Sequence, residues 1–224
     1  MLQMLKMHKV VIFLAALFFG AVASADTLQL YNTGVNGSGN LLADGTVGDP
    51  HYTLLSVPSG SNQTLVRTSA GGYPIPPYLA DDSLSAWIGP DNAQNLNSPP
   101  GQYVYRTTFT LPSDFVSASI SGGWTSDNDG VKILLNGVDT GNPATSFTQF
   151  SLGFAPFSVS SGFHAGSNTL DFVINNGGAG DNPSALRVEM TGTFQTPLPA
   201  VIPGVLALFG ISGASYVIRR RRLA

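Results

Sequence analysis

The stretch "GQYVYRTTFTLP" (residues 101–112) decides the fold, because its side chains alternate in character with a period of two. The apolar residues Tyr103, Tyr105, Phe109 and Leu111 fall on one face of an extended chain, and an arginine and two threonines fall on the other. This alternation is typical of a β-strand with one buried face and one solvated face.

Three later stretches repeat the pattern: "GVKILLNGVDTG" (130–141), "NTLDFVINNGG" (168–178) and "SALRVEMTGTF" (184–194). The first contains Asn136-Gly137, the residue pair best suited to a two-residue hairpin turn with positive φ. The side chains expected to face the core are Val131, Ile133, Leu135, Leu170, Phe172, Ile174, Leu186, Val188, Met190 and Phe194. The side chains expected on the solvated face are Asp171, Val173, Asn175, Arg187 and Glu189.

The rest of the central region reads as turns, loops and short strands. No stretch carries a sustained helical period, and polar clusters such as "TSDNDG" (125–130) and "NNGGAGDNP" (175–183) recur between the apolar runs. Short strands at "YTLLSV" (52–57) and "SAWIG" (85–89) interrupt longer loops. We therefore predict an all-β sandwich over residues 26–195, with binding expected on its loops.

The N-terminus reads as a secretory signal peptide over residues 1–25. Two lysines precede an apolar run at Val10–Val22, which Ala23-Ser24-Ala25 follows as a small-x-small cleavage pattern. The alternative is an uncleaved membrane anchor, but this run is shorter than the roughly 20 apolar residues that span a bilayer.

The C-terminus reads as a membrane segment with a basic end. Residues 200–218 carry no charge and are just long enough to cross a bilayer as a helix. Arg219, Arg220, Arg221 and Arg222 follow and would stay on the cytoplasmic side. A plain tail anchor is the alternative interpretation.

The tail (196–224) resembles the PEP-CTERM sorting signal of exopolysaccharide-producing Gram-negative bacteria. The resemblance lies in the order of a Pro-x-Pro motif, a short glycine-containing apolar helix and a terminal arginine cluster. The motif here is Pro197-Leu198-Pro199, with Leu198 where that family has its glutamate. The resemblance implies handling by an exosortase at the inner membrane, followed by release or transfer to the cell surface.

Charge and cysteine content exclude several classes of function. Between the two terminal segments lie four basic and thirteen acidic residues, a net charge of −9. This balance argues against nucleic acid or anionic membranes as partners, since both require a basic surface. The absence of cysteine excludes disulfides, thiolate metal sites and a cysteine nucleophile.

Residues 102–194 resemble the galactose-binding-like jelly roll that accompanies many secreted glycosidases. The resemblance lies in Trp124 before the polar turn, the Asn136-Gly137 turn, and the "GSNTL" (166–170) entry into a strand that ends in Asn-Asn-Gly. It implies a sandwich whose loops at one end, or whose concave face, contact sugars.

A glycan site would combine exposed aromatic rings with nearby Asp and Asn side chains. The candidate ligand-binding residues are Trp87, Trp124, Asp127, Asn128 and Asp129, with Tyr73 and Tyr78 as further aromatic candidates. Trp124 is alternatively a core residue, because it continues the alternation of Ala118, Ile120 and Gly122.

The sequence favours no cofactor. Residues 127–129 offer oxygen donors of the kind that calcium prefers, but they do not continue into an EF-hand loop. Asp and Asn also form turns by bonding their own backbone, and that interpretation is the favoured one.

Catalytic signatures are missing from the sequence. Hydrolysis of sugars requires two suitably separated carboxylates, and the candidates Asp81, Asp82, Asp127, Asp129 and Glu189 read as surface or loop residues. His51 and His164 are single and far apart, and neither a G-x-S-x-G nor an H-E-x-x-H motif occurs.

We therefore expect a noncatalytic surface or matrix protein that binds exopolysaccharide or another glycan. A structural or adhesive matrix protein without a specific ligand is the alternative, and a carbohydrate-active enzyme is the least supported class.

Overall fold

The computed structural model describes residues 25–72, 77–90 and 97–197. The predicted cleavage residue Ala23, the aromatic candidate Tyr73, the motif residues Leu198 and Pro199, and the predicted helix and arginine cluster at 200–222 lie outside the described residues. None of the helices within the described ranges has the length and apolar character that a membrane crossing needs.

The described chain is almost entirely β-structure. In chain order, its strands are β1 (Ala25–Leu28), β2 (Thr53–Ser56), β3 (Thr64–Arg67), β4 (Trp87–Pro90), β5 (Asn97–Ser98), β6 (Gly101–Leu111), β7 (Ser117–Asp127), β8 (Asp129–Leu135), β9 (Val138–Asp139), β10 (Ala155–Val159), β11 (Gly166–Asn176), β12 (Asn182–Pro183) and β13 (Ala185–Gln195). A 3₁₀ turn at Ser69–Gly71 and one turn of helix, α1 (Gln149–Leu152), complete the elements.

Two antiparallel sheets form the sandwich. Sheet I has the order β10-β7-β13-β4-β3, with β1 also paired to β13, and sheet II has the order β2-β6-β11-β8-β9. At the centre of sheet I, β7 and β13 pair along their whole length, from Asp127 opposite Ala185 to Ser117 opposite Gln195. At the centre of sheet II, β6 and β11 pair from Gly101 opposite Asn176 to Leu111 opposite Gly166. β5 and β12 form a separate two-stranded pair.

The apolar faces of the two sheets pack against each other, which confirms the predicted β-sandwich. The ring of Trp124 from sheet I lies 5.9 Å from the ring of Phe172 in sheet II, measured between centroids. The ring of Phe157 lies 5.7 Å from that same ring. The inward side chains predicted for β6, β11 and most of β13 are buried: Tyr103, Tyr105, Phe109, Leu111, Leu170, Phe172, Ile174, Leu186, Val188 and Met190.

Sheet II departs from the simple alternation at Val131. The pairing of β8 with β11 shifts between Val173 and Ile174, so that Val131 is an extra residue in β8 and is only half-buried. The predicted turn after β8 is confirmed, because Asn136 and Gly137 both have positive φ, 53° and 81°. They connect β8 to β9 as a two-residue hairpin.

The prediction of a solvated outer face is wrong for part of both sheets. Arg187 points away from the core but is fully buried, because residues 79–85 cross over it. Its Nε donates to Ser85 Oγ at 2.6 Å, and its Nη2 lies 3.1 Å from Asp82 and 3.2 Å from Glu189. On sheet II, Val173 is also buried, and Asp171 is buried while it accepts two hydrogen bonds from Arg106 at 2.6 and 2.7 Å.

Two sheet edges are closed by the chain itself. At β10, the Asn142 side chain bonds both the N–H and the C=O of Ser158, and Pro156 has no N–H to offer. At β3, residues 45–48 bond the backbone of Thr64 and Val66. Closing edges in this way opposes edge-to-edge association with another chain.

Candidate functional site

A cleft of about 500 Å³ lies at the end of the sandwich where β7 ends and β8 begins. Its walls come from the β7–β8 turn, the loop before α1 and the glycine-rich loop after β11. We call it the end cleft, and its lining residues are Asn128, Asp129, Phe147, Gly177, Gly178, Ala179, Gly180 and Asn182.

The loop that carries Phe147 is fixed to the start of β8. Gly130 N–H donates to Thr145 Oγ1 at 2.8 Å, and Thr145 N–H donates back to the Gly130 carbonyl at 2.8 Å. Residue 130 must be glycine, because a Cβ there would clash with both Thr145 Oγ1 and the Trp124 ring. Phe147 is therefore held near the turn by a rigid attachment two residues before it.

Three asparagines brace the glycine-rich loop. Asn128 Oδ1 accepts a hydrogen bond from Gly177 N–H at 2.7 Å, and Asn182 Nδ2 donates to the carbonyls of Gly177 at 2.7 Å and Gly180 at 3.0 Å. Beneath the loop, the buried Asn176 Nδ2 donates to the Ser98 carbonyl at 2.8 Å. The polar groups of Gly177 are thus satisfied within the protein. Among the described residues, the N–H groups of residues 178–180 have no partner, and all three residues are exposed.

Phe147 provides the apolar surface of the end cleft. It is 62% exposed, whereas most of the other described aromatic side chains pack in or against the two hydrophobic clusters. An aromatic ring offers a flat apolar face, which matches the C–H face of a sugar ring in size and character.

Asp127 and Asp129 differ in environment although one residue separates them. Asp129 is half-buried and lines the cleft, and its carboxylate has no hydrogen-bond or ion-pair partner among the described residues. Asp127 is 4% exposed and turns inward, where it accepts hydrogen bonds from the Tyr78 hydroxyl and from Asn128 Nδ2. Burial raises the pKa of Asp127 to about 7; the bond from Asn128 opposes this shift and the charge of Asp129 adds to it.

The structure brings Asn128 and Asp129 to the cleft but corrects the assignment of both tryptophans. Trp124 is 1% exposed and its ring packs in the core against Gly130, so it offers no face for a sugar to stack on. Its alternative interpretation as a core residue is confirmed. Trp87 is 0% exposed, because it packs in a second cluster on the outer face of sheet I with Tyr78 and Phe150. Its Nε1 donates to the Leu79 carbonyl at 2.9 Å, so both its ring and its polar group are used by the fold.

The donors expected for calcium do not converge. Both carboxylate oxygens of Asp127 are engaged by Tyr78 and Asn128, and this leaves Asp129 as the one carboxylate among the described lining residues. Within residues 25–72, 77–90 and 97–197, no group of three or more His, Asp or Glu side chains is placed to hold a metal ion.

The candidate catalytic carboxylates are also engaged elsewhere. Asp81 accepts hydrogen bonds from Ser69, and Asp82 and Glu189 share the Arg187 guanidinium. Glu189 lines a second groove of about 400 Å³ on the outer face of sheet I, beside the exposed Leu84 and the backbone of Gly122 and Gly123.

Sequence reasoning missed Phe147, Asn182 and the glycine-rich loop as cleft residues. The residues 175–183 were identified only as a turn cluster. Phe147 carries one usable signal, since it is a large apolar residue inside the polar run "NPATSFTQ" (142–149), where no alternation predicts a buried face. Single exposed apolar side chains are common on protein surfaces, so this signal identifies Phe147 as a contact only once the structure places it in the lining of the end cleft.

No protein-family model matches the chain, and no curated protein sequence matches it significantly. Among solved structures, the chain is similar to CBM35 from Paenibacillus barcinonensis, with 15% identity, 65% of this chain and 98% of that chain covered, and a TM-score of 0.33. It is also similar to a family 35 carbohydrate binding module from Clostridium thermocellum, with 14% identity, 76% and 98% covered, and a TM-score of 0.32. A GH26-CBM35 β-(1,4)-mannanase from Podospora anserina matches with 13% identity, 67% of this chain and 29% of that chain covered, and a TM-score of 0.31. Similarity at this level transfers no ligand to this chain.

Proposed function

We propose that this chain is an exported, noncatalytic glycan-binding protein of the galactose-binding-like jelly-roll type, and that it binds sugar in the end cleft. The single observation that carries the proposal is the exposed Phe147 ring beside the partner-free carboxylate of Asp129. An apolar platform next to a few fixed polar groups is what a sugar, with its apolar ring face and hydroxyl edge, requires.

The polar groups of the cleft complement a hydroxyl edge. The Asp129 carboxylate accepts hydrogen bonds from hydroxyls, and a charged acceptor forms stronger bonds than a neutral one. The N–H groups of residues 178–180 donate to hydroxyl or ring oxygens. Because asparagine side chains already hold this loop at Gly177 and Gly180, binding does not have to order it.

The same geometry favours binding over hydrolysis. Glycoside hydrolysis uses two carboxyl groups that flank the scissile bond, roughly 5–10 Å apart. Among the described residues that line the cleft, Asp129 is the only carboxylate: Asp127 is buried and bonded to Tyr78 and Asn128, and Asp181 is not part of the lining. The glycan-binding interpretation therefore explains the cleft without a second reacting group.

The cellular part of the proposal rests on the two terminal segments. The signal peptide (1–25) exports the chain through the inner membrane, and the PEP-CTERM-like tail (196–224) presents it to an exosortase before it reaches the cell surface or the extracellular polysaccharide. Mass spectrometry of the mature protein tests this: the first residue should be Asp26, and the arginine cluster should be missing after processing. A protein that keeps both termini would contradict the sorting proposal.

The binding part is tested with the purified full-length chain and the exopolysaccharide of the producing cells, with and without calcium. Saturable binding that Phe147→Ala weakens supports the proposal. If the folded protein binds neither that polymer nor a panel of mannan, galactan, xylan and glucan, the structural matrix role becomes the better account.

A further inference from the structure

We propose that the end cleft selects neutral sugar units and rejects uronic acid or sulfated units, with Asp129 as the residue that discriminates between them. This inference rests on the proposed glycan-binding function and names the class of glycan that the same site takes.

The first observation is the charge of the cleft. Of the eight described residues that line it, only Asp129 is ionisable, and none is Lys, Arg or His. Asp181, exposed in the glycine-rich loop, places a second acidic residue close to the cleft. An anionic sugar entering here meets a carboxylate that no described lining residue offsets with a positive charge.

The second observation is where the cations lie. Among the described residues, the three arginines are each bound to carboxylates away from the cleft: Arg67 to Asp44, Arg106 to Asp171, and Arg187 to Asp82 and Glu189. Lys132 lies on β8 and is not part of the lining. Recognition of a uronate or sulfate group normally uses a basic side chain, and the three described arginines already form ion pairs outside the cleft.

The third step is energetic. Repulsion between two unit charges about 5 Å apart weakens binding about fourfold at the dielectric constant of water. At a partly buried site, where the effective dielectric constant is lower, the same repulsion weakens binding by more than about a hundredfold. A neutral hydroxyl at the same place instead donates to the carboxylate. One side chain therefore attracts one class of sugar and repels the other, as specificity by repulsion requires.

The experiment compares matched polymers on the purified full-length chain. Polygalacturonate is measured against its fully methyl-esterified form, and dextran sulfate against dextran, beside the neutral panel of mannan, galactan, xylan and glucan. We expect at least one neutral polymer to bind saturably. Wherever the neutral member of a pair binds, the charged member should bind at least about tenfold more weakly. Raising the salt concentration should narrow this difference.

Variants assign the effect to Asp129. In Asp129→Asn the difference in affinity between the charged and the neutral polymer of a pair should fall to about twofold or less. The matched control is Asp114→Asn, which removes the same charge from an exposed turn between β6 and β7 at the opposite end of the sandwich. It should leave the difference unchanged.

The outcomes separate the two proposals. If charged polymers bind as well as neutral ones, or if Asp129→Asn leaves the discrimination intact, the selectivity inference is overturned while glycan binding stands. If the folded protein binds no polymer of either class, glycan binding fails and the selectivity inference fails with it.

Discussion

Asn128 Oδ1 accepts a hydrogen bond from the Gly177 backbone N–H at 2.7 Å, and this bond joins the two walls of the end cleft across 49 residues of sequence. The same side chain donates to Asp127 Oδ1 at 2.6 Å. One amide thus connects the β7–β8 turn of the sandwich to the glycine-rich loop after β11.

Asn128→Ala should lower both stability and glycan affinity. The variant loses two hydrogen bonds and leaves Gly177 N–H without its partner, so we expect a loss of about 1–3 kcal/mol in the free energy of unfolding. Affinity should fall because the loop is no longer held in place. Urea denaturation and calorimetric titration measure the two effects. The control is Asn36→Ala, which removes an asparagine that accepts two backbone hydrogen bonds in a loop outside the lining and should leave affinity unchanged.

Phe147→Ala should weaken glycan binding with little effect on stability. The ring is 62% exposed, so its removal uncovers no core, and the free energy of unfolding should change by no more than about 0.5 kcal/mol. Loss of a stacking contact should reduce affinity by about three- to tenfold. Leu152→Ala, which removes an apolar side chain that is 72% exposed and lies outside the lining, should leave affinity unchanged. Equal losses in both variants would contradict a specific role for the ring.

Trp124→Phe should show the opposite pattern. Trp124 is buried between the sheets against Phe172, so a smaller ring leaves a cavity and should cost about 1–3 kcal/mol of unfolding free energy. Affinity should stay within about twofold, since the ring does not line the cleft. Circular dichroism during urea unfolding, paired with titration of the folded protein, checks both parts. A folded variant that has lost its affinity would restore Trp124 as a ligand contact.

Asp127 should make the fold less stable as the pH rises from 4 to 7. The pKa of Asp127 in the folded protein, about 7, lies above the ordinary value of 3.8. Between these pH values the unfolded chain releases the proton while the folded chain keeps it, and this stabilises the unfolded state relative to the folded state. The loss should approach about 1.4 kcal/mol per pH unit at most. In Asp127→Asn this component should disappear, which a comparison of unfolding midpoints at pH 4, 5.5 and 7 measures. Parallel pH profiles for the two proteins would show that Asp127 is not the titrating group.

The strands and the core were predictable because their signal is local. The alternation of Tyr103, Tyr105 and Phe109 fixes a buried face within a few residues, and Asn136-Gly137 fixes a turn by its own backbone preference. The burial of Arg187 was not predictable in this way. It depends on residues 79–85 crossing the outer face of sheet I, about 100 positions away in sequence.

The same reason explains what was found and missed at the site. Asn128 and Asp129 were identified because carboxylates and amides in a turn are conspicuous, whereas Phe147 lies in a loop without periodicity. Its exposure follows from contacts between Thr145 and Gly130, 15 residues apart. The ligand-binding assignment of Trp87 was wrong because composition alone does not reveal that the outer side of β4 is covered. For Trp124 the alternation with Ala118, Ile120 and Gly122 already offered the core interpretation that the structure confirms.

The most direct test of glycan binding in the end cleft is a titration of the ¹⁵N-labelled protein with neutral oligosaccharides prepared from the polymer that binds best. The account predicts saturable amide shifts concentrated at Asp129, Phe147 and residues 177–182, with few changes along the sheets. Shifts that map instead to the groove beside Gly122 and Glu189, or no saturable shifts at all in the folded protein, would contradict it.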